Sequence, residues 1–72
     1  MADYDLTAAD KIAVINTHIK NINYNKFNAE LVIIEENATL TPSATKISDS
    51  NATIAEADAQ IVALEAQIEA LS

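Results

Sequence analysis

Seventy-two residues make one domain at most, and a chain this short sits near the lower limit for folding alone. Eleven acidic residues against four lysines and no arginine give a net charge of −7. That balance argues against phosphate-backbone binding and against anionic membrane surfaces, both of which draw on clustered Lys and Arg. With no Cys there is no disulfide, and with no Gly the phosphate loops and tight turns that depend on it are not expected.

The apolar half of the composition contains 14 Ala, which add little transfer energy. The larger anchors are ten Ile, five Leu, three Val, two Tyr, one Phe and one Met. At roughly 1.5–3 kcal/mol per fully buried large side chain, these offset the ordering entropy only if nearly all of them are covered. Two helices cover only one side of each other. A small scaffold without disulfide or metal is completed by oligomerisation or by docking on a larger assembly.

Residues 1–6 read as an acidic lead-in. The start Met1-Ala2-Asp3-Tyr4-Asp5 lacks the basic and apolar regions of a signal peptide. The expectation is therefore a protein used in the cytoplasm of the cell that makes it, with no membrane span, since no apolar run approaches ~18 residues. Thr7 followed by Asp10 has the spacing of a capping box, and Asp3, Asp5 and Asp10 suit the positive end of a helix dipole.

A first helix is expected over about 8–37. Ile12, Ile15, Ile19 and Ile22 follow a 3-4-3 spacing, and Phe27, Leu31, Ile34 and Ala38 a 4-3-4 spacing. The five-residue gap between the blocks predicts a sideways step of the stripe near residue 24. Asn16 and Asn23 project onto the stripe, Glu30 continues their seven-residue row, and Lys26 stands where the row Ile12, Ile19, Ile33 wants an apolar side chain. Such polar groups either stay wet on a partly covered helix or pair across an interface, Lys26 with a carboxylate, and set register.

An interhelical turn is expected over 38–41, with Asn37 as a left-handed helix end and Pro42 as the first residue of the next helix after a Thr41 cap. A connection this short folds two helices back antiparallel.

The second helix, about 42–71, carries the sharpest pattern in the chain. Ile47, Ile54, Ile61 and Ile68 recur every seven residues, with Ser50, Ala57, Leu64 and Leu71 three residues after each. This is a four-heptad seam of coiled-coil type. Its small d residues near the turn leave room for a bulky neighbour, and Phe27 is the expected occupant. Ala52, Ala55, Ala59, Ala63, Ala66 and Ala70 form a second stripe on the opposite face. Either alanine serves there as a good helix former in water, or the face packs on another helix.

Chemistry has little to work with. His18, the single histidine, has Val14, Ile15, Asn21 and Ile22 as its helical neighbours and reads as a solvated surface group. The usual nucleophile, metal and triad patterns are missing from the sequence. No enzyme activity, cofactor or small-molecule substrate is expected. The triplets Asn37-Ala38-Thr39 and Asn51-Ala52-Thr53 fit the glycosylation pattern by coincidence of heptad phasing.

The segments Tyr4-Asp5-Leu6-Thr7-Ala8-Ala9-Asp10-Lys11 and residues 59–71, Ala-Gln-Ile-Val-Ala-Leu-Glu-Ala-Gln-Ile-Glu-Ala-Leu, resemble short Ala-, Asn- and Thr-rich helical proteins of marine tailed bacteriophage particles. That resemblance spans the chain and implies a virion component of capsid, neck, tail or fibre; it carries no functional residues over. The function expected is structural, with a homo-oligomer or a larger protein assembly as the partner. The alternatives are a regulatory adaptor or inhibitor on one protein target and, third, an acidic nucleic-acid mimic.

Overall fold

The computed structural model describes residues 5–72, so the lead-in expected over 1–6, and Asp3 within it, lies mostly outside the described residues. Two helices, α1 (Ala8–Asn37) and α2 (Ala44–Leu71), pack against each other as a hairpin. The molecule is all-helical and elongated, 56 × 18 × 14 Å, with a radius of gyration of 16.6 Å. A compact chain of this length has a radius of about 11 Å. The difference is the geometry of two long rods side by side.

α1 begins where its sequence supplies partners for the first unpaired amides. The Asp10 backbone N–H donates to Thr7 Oγ1 at 3.1 Å, and the Thr7 N–H donates to Asp10 Oδ2 at 3.2 Å, a reciprocal capping box. Its other end differs from the left-handed Asn37 expected above. Asn37 is still helical, and the cap residue Ala38 is right-handed, at φ −88° and ψ −7°. The last carbonyls are satisfied instead by Ala38 and by Thr39, whose hydroxyl donates to the Glu36 carbonyl at 2.7 Å. No left-handed residue is then required.

The turn also runs two residues further than expected. Ser43, and not Thr41, caps α2, its hydroxyl accepting from the Lys46 N–H at 3.2 Å. The Ser43 N–H donates to Glu36 Oε1 at 2.8 Å. A Thr41 cap would itself have had to accept from that N–H or the next, and Glu36 takes this role for Ser43. Pro42 accordingly stands in the turn, where its missing N–H costs nothing. Glu36 thus ties the end of one helix to the start of the other, aided by Lys46 Nζ at 3.7 Å.

The interior between the helices is thin. Ala29, Ser50 and Ala57, at 7%, 8% and 4% exposure, are the buried residues among those described. None of the large side chains described is fully buried. The isoleucines that face the other helix are all half-buried.

Candidate helix-association site

Less exposed positions along α1, Lys11 and Val32 apart, trace an uninterrupted row: Ile12, Ile15, Ile19, Ile22, Lys26, Ala29, Ile33 and Glu36, spaced 3-4-3-4-3-4-3. On α2 the corresponding row is Ile47, Ser50, Ile54, Ala57, Ile61, Leu64, Ile68 and Leu71. The sideways step expected near residue 24 does not occur. α2 offers a straight seven-residue row, and a neighbour that follows it must keep the same phase. α1 does so by admitting Lys26, Ala29 and Glu36 in place of larger apolar groups.

Two ion pairs mark the register in which the helices meet. Lys26 Nζ donates to Asp58 Oδ1 at 2.7 Å, and Lys46 Nζ lies near Glu36 Oε2. Carried along both antiparallel rows, this register sets Ile12 across from Leu71, Ile15 from Ile68, Ile19 from Leu64 and Ile22 from Ile61. Toward the turn it sets Lys26 across from Ala57, Ala29 from Ile54, Ile33 from Ser50, and Glu36 from Ile47. The apolar pairing is therefore graded. Large residues meet large residues at the open end, and every layer near the turn contains a small or charged partner.

Lys26 sits inside this row with its side chain 31% exposed, its stem along the seam and its ammonium reaching Asp58 at the edge. The hydrogen bond to Asp58 and the Asp58 charge raise its pKa above 10.5; the Glu30 charge adds a smaller push in the same direction, against a lowering contribution from burial. Asn16, Asn23 and Glu30 occupy the position immediately after Ile15, Ile22 and Ala29 and are exposed. They flank the seam and do not lie in it, because the row they were projected onto keeps the phase of Ile15 and Ile22.

Phe27, Leu31 and Ile34 are placed otherwise than expected. They turn away from α2, at 58%, 37% and 62% exposure, and Phe27 does not fill the space opposite Ala57. With Tyr24, 59% exposed, they make a separate stripe at positions 24, 27, 31 and 34, again spaced 3-4-3. Lys20 continues it, its Nζ lying 5.9 Å from the centre of the Tyr24 ring. This outer stripe is the feature that a search for one continuous α1 seam misses. Its signal was the second apolar block itself, which belongs to a different face.

The alanine stripe of α2, Ala52 through Ala70, is exposed along its length, so helix α1 leaves it uncovered. A shallow groove of about 330 Å³ opens at the far end of the hairpin, lined by Leu6, Lys11, Val14, Ile15, Gln67 and Leu71. Among the described residues no cluster of His, Cys, Asp or Glu is arranged to hold a metal ion, and His18 is exposed. Nor is any described helix long and apolar enough to cross a membrane. No family model, curated protein or solved structure matches the chain.

Proposed function

We propose that this chain is a non-enzymatic structural or assembly protein that acts by helix association, its hairpin joining copies of itself or a larger protein assembly. The observation that carries the reading is the incomplete interior. One seam is spent within the hairpin and leaves no large side chain among those described fully buried, while Tyr24, Phe27, Leu31 and Ile34 stand exposed on a second face. A compact monomer of 7.7 kDa exposes roughly 4300 Å² by the usual scaling, whereas this chain exposes 5295 Å². The excess, about 1000 Å², is comparable to the ~800 Å² that one partner contributes to a standard interface.

In this reading the two rows interdigitate as a coiled coil, with a and d side chains entering holes on the facing helix, and the hairpin is the unit that assembles. The resemblance to virion components of tailed bacteriophages directs the proposal to a particle, in which many copies of a short rod-like protein line a capsid, neck, tail or fibre. The acidic surface keeps such a unit off nucleic acid.

Light scattering of the purified chain across concentration, with circular dichroism on the same samples, tests the proposal. A helical species whose mass exceeds one chain and grows with concentration is expected. A helical monomer throughout the range contradicts self-assembly and favours an adaptor whose exposed stripe receives one target protein.

A further inference from the structure

We propose that a second copy of this chain covers the outer stripe of α1, with the two α1 helices antiparallel about a twofold axis that passes beside residue 29. The inference rests on the association reading above and specifies the surface and the partner.

The stripe is self-complementary when reversed. Tyr24, Phe27, Leu31 and Ile34 are spaced 3-4-3, so an antiparallel copy sets each Tyr24 across from an Ile34 and each Phe27 across from a Leu31. Every layer then joins an aromatic ring to a branched aliphatic side chain. A parallel copy would instead stack Phe27 on Phe27 and Ile34 on Ile34, and would align the two helix dipoles unfavourably.

Charge along α1 is segregated in the sense that an antiparallel copy requires. Between Lys11 and Ala29 the helix carries Lys11, Lys20 and Lys26 and no acid, whereas Glu30, Glu35 and Glu36 crowd its last turns. No basic residue stands in the last turn to answer the negative end of the dipole. Reversal about residue 29 brings Lys20 of each copy across from Ala38 of the other, near Glu35 and the negative end of the helix dipole. Glu36 is already engaged by Ser43 and Lys46. Glu35 is exposed and forms no ion pair within the hairpin among the described residues, so an incoming ammonium meets an acid that the fold itself leaves available. The apolar stripe is bounded by Lys20 at one end and by Glu35 at the other, which favours this register.

The α2 outer face offers a second copy no such match. It bears alanine and Val62, and its charges beyond Lys46 are all acidic. Two α2 faces would therefore bring like charges together over little apolar area.

Absence of native cysteine makes the geometry directly testable. Residue 28 flanks the stripe next to the proposed axis, which brings it close to its own counterpart in the second copy. The full-length Asn28→Cys variant treated with a short bis-maleimide is expected to yield covalent dimer in high proportion, and Ala59→Cys on the α2 outer face to remain monomeric. Phe27→Asp added to Asn28→Cys should abolish the cross-link while circular dichroism retains the wild-type helicity. Cross-linking of the Ala59→Cys variant without cross-linking of Asn28→Cys, or a dimer that survives Phe27→Asp, overturns the proposed interface. If light scattering shows association while position 28 stays uncross-linked, the surface assigned here is wrong and the general association reading stands. A chain that is monomeric by scattering and uncross-linked at both positions overturns the two together.

Discussion

Lys26 is the residue whose environment is least like its type. It occupies a row position that isoleucine fills at 12, 19 and 33, and it is tolerated there because Asp58 receives its ammonium at the edge of the seam. An apolar replacement of similar length removes the need for that compensation. Lys26→Met is expected to raise the thermal unfolding midpoint by several degrees, and Asp58→Ala to lower it, since the latter leaves the ammonium without its partner. The sign with pH follows from the raised pKa. Stability contributed by the folded-state partner is fully present below the unfolded value near 10.5 and is lost as pH rises through the folded value. Wild type should therefore lose stability above pH 10.5 more steeply than Lys26→Met, as read from unfolding midpoints across that range.

At the two ends of the turn and at the start of α1, single polar contacts set the boundaries. Thr7→Ala and Ser43→Ala each remove a hydroxyl that accepts from a first-turn amide, and each should cost about 1 kcal/mol. Glu36→Ala removes a partly buried carboxylate that accepts from the Ser43 N–H. A hydrogen bond to a charged group contributes about 1.5–3 kcal/mol, and the lower value is expected for this half-buried site. Denaturant melts of the three variants provide the comparison. Thr7 was legible in the sequence because a capping box has a fixed spacing. Ser43 was not, because Thr41, Ser43 and Thr45 are all competent caps and the choice among them depends on where Glu36 lies in space.

On the scale of the helices, the grading of the seam decides where stability resides. Layers of large residues, Ile12–Leu71 through Ile22–Ile61, lie at the open end; small and charged partners fill the end near the turn. Ile22→Ala should therefore be more destabilising than Ile47→Ala. The former should cost about 2 kcal/mol, the low end of the range for large-to-Ala changes in a core, given that the site is only half-buried. Equal effects from the two variants in denaturant melts would contradict the assigned register. The extent of α1, the antiparallel hairpin and the face of the α2 row were readable in advance, since a strict seven-residue repeat of isoleucine admits one helical face, whereas the start of α2 lies two residues beyond the expected one. The second half of α1 was not. There the largest apolar residues, Phe27, Leu31 and Ile34, outweigh Ala29 and Ile33 in any one-dimensional reading, yet continuity with the α2 row selects the latter. A chain that carries two stripes on one helix reads as a single stripe with a step.

For the molecule as a whole, the two stripes are divided in our proposal between folding and association. The α2 row faces α1, and in the proposed assembly the outer stripe of α1 is the surface for other chains. Ile61→Asp and Leu64→Asp then act by undoing the hairpin, with loss of helicity. Phe27→Asp should act on the proposed assembly alone, with helicity kept. The two outcomes are distinguishable in one circular dichroism and light-scattering series. The surface in excess of a compact monomer, and an interior in which no described large side chain is fully buried, are the observations that support the proposed assembly role.

Thermal unfolding followed by circular dichroism from low micromolar to millimolar chain concentration tests that claim most directly. If association completes the core, the midpoint rises with concentration, because a partner that binds the folded chain stabilises it by mass action. A midpoint independent of concentration, for a chain that remains fully helical when dilute, would contradict the account.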